Sequence, residues 1–237
     1  ITRFREAEEI KSTFISVITH ELKTPVALIK GYVSTLRRED AVWDRSIVDD
    51  SLEVIEEEAD RLTELIDNLL DASRLQMGVL ALNTSDLNLD RLANRIAERF
   101  RTQTALHTIQ VDFPENFPVI LGDEDRLGQV ISNLVANAIK YSPKGGEIRI
   151  SGIVHPTQVV VCISDQGPGI AAKDVPHVFD RFYRASEASR NTKGAGLGLY
   201  LAKAVVEAHG GRIWVDPTPN SGARICFSLQ RDEKDGR

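Results

Sequence analysis

The sequence predicts an α-helical hairpin, suited to pairing with a second copy into a four-helix bundle, followed by an α/β sandwich with helices on one face of a mixed sheet. Three observations predict it. Apolar residues keep a helical period from about residue 4 to residue 75. That period breaks around Gly78 to Asp86, where turn-forming residues gather. Beyond the break, alternating strand patterns and helical patterns follow one another in mixed order. At 237 residues the chain has room for two modest domains. The expected division is a hairpin over 1–77, a hinge over 78–85, a second domain over 86–231 and a tail over 232–237.

The first helix runs from about residue 4 to 38. At about 100° per residue, Phe14, Ile18, Leu22, Pro25, Ile29, Tyr32 and Leu36 fall within an arc of roughly 80°, and His20 projects about 160° from its centre. His20 is therefore expected to face water, with Glu21 beside it and Thr24 one turn along. The second helix carries Val48, Leu52, Ile55, Ala59, Leu62, Ile66, Leu69 and Ser73 at alternating spacings of four and three, the seam of a coiled coil or bundle. The two stripes are expected to face each other across a connection near Glu39 to Asp44. Two helices cannot cover both seams together with Leu65, Leu70 and Leu75, so a homodimer is expected.

The second domain reads as a helix over 89–105, a strand over 108–113, a helix over 123–141 and two strands over 147–154 and 157–165 around a His155-Pro156-Thr157 turn. A short helix over 174–183, a polar stretch over 185–193, a helix over 197–209 and strands over 211–216 and 222–229 complete it. Cys162 and Cys226 lie in apolar alternating segments and read as small buried residues, for which reduced, intracellular surroundings fit.

The net charge of −6 and the scattered basic residues give no footprint for nucleic acid. No run of 18 apolar residues and no signal-peptide pattern is present, so no membrane contact is expected of these residues and a cytoplasmic location is. A membrane anchor elsewhere in a longer protein is left open. The chain begins with Ile1 and a charged helical segment, which suggests a piece of a longer protein whose upstream sensor or linker feeds the first helix.

Three polar clusters interrupt the second domain. Asn133 and Asn137 stand four apart in a helix whose stripe is Leu127, Ile131, Leu134 and Ala138, so both amides leave on one side. Asparagine is a poor mid-helix residue, and an amide oxygen suits a hard cation such as Mg²⁺ that keeps waters and borrows ligands from phosphates. Asp165-Gln166-Gly167-Pro168-Gly169 follows an apolar strand. Its glycines permit a tight turn and close approach of backbone to a ligand, and the strand-end carboxylate can accept a hydrogen bond from an exocyclic amine. Gly194, Gly196 and Gly198 open the helix that starts near Leu197, where exposed N–H groups and the helix terminus favour phosphate. Neither the Rossmann fingerprint nor a P-loop is present.

His20 with Glu21-Leu22-Lys23-Thr24-Pro25, the Asn133/Asn137 segment, Asp165 to Gly169, Phe179-Asp180-Arg181-Phe182-Tyr183-Arg184 and Gly194 to Gly198 occur in one order. From about residue 8 to 230 the chain resembles the catalytic core of the sensor histidine kinases of two-component signalling, with Lys23 where arginine is commoner. The resemblance implies a dimerisation and phosphotransfer hairpin over 1–77 and, over 86–231, a Bergerat-type ATP-binding domain like those of gyrase and certain chaperones. It implies ATP and Mg²⁺, with His20 as the nucleophile that takes the γ-phosphate, Glu21 accepting or orienting the ring proton, and Thr24 positioning a water that dephosphorylates the partner. A neutral imidazole near pH 7 needs only modest activation for this.

By the same resemblance Asn137 holds Mg²⁺, Asn133 and Lys140 meet phosphates, Tyr141 lies against the adenine face and Asp165 accepts from its amine. Gly167 and Gly169 shape the base pocket, Gly194, Gly196 and Gly198 the phosphate side, and Arg184 and Leu197 belong to the same nucleotide site. The implied partner is the receiver domain of a response regulator. Two other readings stay open: a gyrase-like ATPase driving a conformational cycle, which leaves an exposed His20 unexplained, and a scaffold that has lost catalysis.

Overall fold

The computed structural model describes residues 2–38, 40–76, 81–184, 195–217 and 222–231, with side chains at all of these except 2–17, 20, 64 and 74–76. The chain divides into two compact units, residues 1–76 and 77–237.

In the first unit the long helical periods form α1 (Thr2–Leu36) and α2 (Arg45–Gln76), which pack on each other. Pro25 lies inside α1 and is buried; having no N–H, it drops one bond from the helical ladder. The face that α2 shields differs from the expected seam. Val48, Ile55, Leu62 and Leu69 are half-buried, whereas Leu52 stays 51% and Ile66 44% exposed. The continuously shielded line is instead Ser51, Val54, Glu58, Arg61, Leu65, Asn68 and Ala72. An apolar count misses this line because polar side chains occupy its middle. Leu52, Ile66, Leu70, Val26 and Val33 remain an exposed apolar surface.

The second unit contains β1 (Ser85–Leu87), α3 (Leu89–Gln103), β2 (His107–Asp112), β3 (Ile120–Gly122), α4 (Glu124–Tyr141), β4 (Gly146–Val154), β5 (Gln158–Ser164), α5 (Gly198–Ala208), β6 (Arg212–Val215) and β7 (Arg224–Gln230). Five strands form a mixed sheet in the order β2-β4-β5-β7-β6, with β2 parallel to β4 and every other pair antiparallel. β1 and β3 make a separate two-stranded ribbon. Leu92 and Ile96 of α3, Leu127, Ile131 and Leu134 of α4, and Ala202 and Val206 of α5 share one buried cluster with Ile148, Ile150, Val159, Val161 and Phe227 of the sheet. The alternation of strand side chains thus commits one face of the sheet to three helices. This is the expected helical hairpin followed by an α/β sandwich.

Three local expectations are corrected. Residues 174–183 are a succession of turns rather than a helix: Phe182 adopts φ 64° and its N–H donates to the Gly196 carbonyl at 2.9 Å. The ribbon β1/β3 was unexpected, each strand being three residues long and too short to show a period. Cys162 and Cys226 are buried, as expected, but they are joined in a disulfide rather than reduced. They are direct partners across β5 and β7 on the sheet face away from the helices, with Cα atoms 4.1 Å apart and Trp214 packed beside them. The expected hinge falls partly on residues 77–80, outside the described residues.

Asp123 caps α4 and links it to two distant segments. Its Oδ1 accepts from the Arg126 N–H at 3.1 Å and its Oδ2 from the Asn83 N–H at 2.8 Å, while its own N–H donates to Nε2 of His209 at 3.0 Å. Burial pushes this carboxyl up, but the bonds from Asn83 and Arg126 outweigh it and hold it below the usual carboxylate range. Asp123→Ala is expected to cost about 1–2 kcal/mol, read as a lower urea midpoint. A carboxyl depressed by folding contributes stability that is present above its unfolded value near 3.9 and lost as pH falls through its folded value. The penalty of the substitution should accordingly be full at pH 7 and shrink in acid.

Candidate functional site

The phosphoacceptor-like segment lies in α1. His20 is helical, and its side chain, together with the expectation that it faces water, lies outside the described residues. Its neighbour Glu21 is only 8% exposed. The helical wheel explains that burial, since Glu21 falls about 60° from the centre of the apolar stripe. Thr24 is half-buried on the same helix. Arg61, which sequence reasoning did not single out, places its guanidinium beside Glu21.

In the second unit the strand–turn boundary at the end of β5 sets Asp165. Its Oδ1 accepts from the N–H of Gly167 at 2.8 Å and of Ala223 at 3.1 Å, and its own N–H donates to the Ala223 carbonyl at 2.9 Å. One carboxylate oxygen is therefore fixed by two backbone donors, so the direction of the other is set as well. A Cβ on Gly167 would come within 2.5 Å of the Tyr141 carbonyl oxygen and 2.9 Å of Asp165 Oδ1, contacts only glycine avoids. Gly169 has φ 77°, and a Cβ there would sit 2.8 Å from the Gly222 carbonyl oxygen.

Asn133 and Asn137 flank the buried stripe of α4 and are half-buried. Nδ2 of Asn133 approaches the Gly198 carbonyl at 3.4 Å, a long bond that ties α4 to the start of α5. Lys140 holds its ammonium 5.2 Å from the centre of the Tyr141 ring, within cation–π range. Gly196 has φ 69°, and a Cβ there would meet the backbone of Phe182 and Tyr183 at 2.9 Å. Leu197, 2% exposed, precedes α5 as its N-cap without a side-chain cap, so the first N–H groups of that helix gain no bond from it. At Gly198 a Cβ would make only ordinary contacts, so space alone does not require glycine there.

Tyr183 donates its hydroxyl to Oδ1 of buried Asp174 at 2.7 Å, a bond that pushes the phenol above its usual range. Arg184 follows directly and is half-buried. Gly194 and the polar stretch 185–193 lie outside the described residues.

The structure therefore brings Tyr141, Asp165, Gly167 and Gly169 together through backbone contacts, joins Asn133 to Gly198, and sets Gly196 against the turn that leads to Arg184. Asn137 and Lys140 share α4 with these residues. Sequence reasoning missed Ala223, which holds Asp165 from the chain entering β7, and Gly222, whose backbone passes close against Asp165; the turn-forming run Asn220-Ser221-Gly222 is the signal that marks them. A cleft of about 1000 Å³ between Val175, Phe179 and the β6–β7 edge contains none of these residues. Among the described residues no group of three or more His, Cys, Asp or Glu could hold a metal ion. None of the helices, over the described residues, is long and apolar enough to cross a membrane.

Two family models match the chain: the His Kinase A (phospho-acceptor) domain over residues 10–78 and the histidine kinase-, DNA gyrase B-, and HSP90-like ATPase over residues 122–233. The sensor histidine kinase WalK of Bacillus subtilis is 34% identical over 99% of this chain and 39% of its own length. The chain thus spans about two-fifths of the length of WalK and of the SrrB sensor of Staphylococcus aureus. The mycobacterial sensor histidine kinase MprB is similar to 62% of the chain at 32% identity, over 97% of that structure, with a TM-score of 0.55. The histidine kinase ThkA, solved in complex with the response regulator protein TrrA, shares the fold over 98% of the chain and 65% of its own, with a TM-score of 0.70 at 22% identity.

Proposed function

Because the chain belongs to the two-component sensor histidine kinases, we propose that it phosphorylates His20 from ATP and passes the phosphoryl group to an aspartate of a response regulator. One observation carries this reading. Asp165, its Oδ1 fixed by two backbone N–H donors where β5 ends among close-packed glycines, offers its second oxygen to the adenine amine in a chain that also holds the His20-Glu21-Leu22-Lys23-Thr24-Pro25 segment.

Each residue then has a stated task. Asp165 reads the amine of the base, Tyr141 covers its face, and Gly167 and Gly169 let the backbone close in around Asp165 and so shape the base pocket. Asn133, Lys140, Arg184 and the backbone of Gly194, Gly196, Leu197 and Gly198 serve the phosphates, where the N–H groups opening α5 favour negative charge. Asn137 would hold Mg²⁺, which when bound neutralises phosphate charge. In α1, a ring nitrogen of His20 attacks the γ-phosphorus as the bond to the ADP oxygen breaks, and the proton on the other ring nitrogen passes to Glu21. Thr24 positions a water for dephosphorylation of the regulator. The exposed Leu52, Ile66 and Leu70 are covered in a homodimer, and the part of the WalK length that the chain does not match leaves room for a sensor or linker domain ahead of α1.

Incubation with γ-labelled ATP and Mg²⁺ tests the reading: acid-labile, base-stable label on the protein is expected. Hydrolysis without label would point to the gyrase-like ATPase instead, and absence of ATP binding to a scaffold. A second test isolates the base pocket. Asp165→Asn keeps an Oδ1 that can accept from Gly167 and Ala223 but turns the other position from an acceptor into a donor facing the amine. ATP affinity should fall about ten- to hundredfold, read by calorimetry, with the thermal midpoint nearly unchanged.

A further inference from the structure

The acid beside the phosphoacceptor is gripped from the other helix. An Arg61 guanidinium nitrogen lies 3.5 Å from Oε2 of Glu21, and its second terminal nitrogen lies 3.4 Å from Oε2 of Glu58, one turn before it on α2. These side chains retain only 24% (Arg61), 11% (Glu21) and 12% (Glu58) of their exposure. Glu58 and Arg61 occupy the shielded line of α2 and Glu21 faces them from α1, places where leucine or alanine would pack at no solvation cost. A buried ion cluster of this kind is seldom a gain in stability over apolar residues of similar volume, so stability does not account for its place. Position does: Glu21 adjoins His20 in sequence, and a glutamate in a helix has three side-chain torsions to fix before its carboxylate points one way.

We propose that Arg61 is a positioning residue for autophosphorylation, its planar fork holding the Glu21 carboxylate in the orientation that receives the His20 ring proton, with Glu58 holding the fork in turn. The proposal rests on the reading of Glu21 as the proton acceptor. Arg61 touches neither nucleotide nor phosphorus in this role; it acts through Glu21 alone.

The test uses the full 237-residue chain with Mg-ATP. Arg61→Met should lower kcat for autophosphorylation about ten- to hundredfold while KM for ATP stays within about twofold, because misaiming a catalytic group by an ångström costs rate rather than nucleotide affinity. Arg61→Lys, which keeps the charge and loses the fork, should recover part of the rate. Glu21→Gln combined with Arg61→Met should be no slower than Glu21→Gln alone. Wild-type kcat in Arg61→Met alongside a slow Glu21→Gln overturns the role of Arg61 and leaves Glu21 standing. Losses that add in the double variant, or a KM that rises in step with the fall in kcat, overturn it as well. A wild-type rate in Glu21→Gln would instead sink the reading of Glu21 itself. Should Arg61→Met melt out of the dimer, Arg61→Gln, which keeps a polar stem and a donor, takes the same measurements.

Discussion

Glutamine in place of His20 should leave the chain without phosphate from γ-labelled ATP, to the limit of detection, while its ATP affinity stays within about twofold of wild type. An imidazole has a ring nitrogen with a free lone pair at neutral pH, whereas the amide nitrogen of glutamine is delocalised and does not displace ADP from phosphorus. Glutamine is also of similar length and a good helix former, so α1 should keep its turn and Glu21 its ion pair with Arg61. The nucleotide residues belong to the other compact unit, and a change in α1 gives no reason for a change in their affinity. Acid-labile label persisting on the glutamine variant would mean another acceptor. Loss of label together with loss of ATP binding would mean that the substitution had damaged more than the nucleophile.

How much of this was legible in the residues follows from the range of the forces involved. Helices α1 to α5 and the strands of the five-stranded sheet announce themselves because their periods run over many residues and are set by local burial. Asp165, Gly167 and the Asn133/Asn137 pair were legible for the opposite reason: each breaks an apolar period where propensity alone would not put it. What was hidden is nonlocal. Val175, Val178, Phe179 and Phe182 have helix-like spacing, yet Phe182 gives its N–H to Gly196, fourteen positions along, and the last turn cannot close on itself. Counting apolar residues along α2 finds the surface that a second copy would cover, not the line against α1, because Glu58 and Arg61 satisfy each other inside it. Nothing in two separate alternating segments tells that Cys162 and Cys226 stand at the same rung.

Reducing that rung should lower the stability of the second unit by about 2–4 kcal/mol. The cross-link closes a loop of 64 residues, and in the unfolded chain such a tie removes conformations that the reduced chain regains. For a unit of this size the loss corresponds to roughly 4–16 °C in thermal midpoint. Cys162→Ser and Cys226→Ser should each reproduce the drop, with the added cost of a hydroxyl placed among Val160 and Trp214. The same rung lies three residues before Asp165 on β5 and three after Ala223 on β7, the two residues that exchange bonds at the base pocket. Strand pairing beyond the sulfurs already fixes those residues through Ile163, Ser164 and their partners Ile225 and Arg224, so reduced protein held well below its midpoint should bind ATP nearly as tightly as oxidised protein. Calorimetry and melting curves with and without a dithiol reductant separate the two quantities. Coincident melts would mean that the tie contributes nothing to folding, and a large fall in affinity on reduction would mean that strand pairing alone does not aim Asp165.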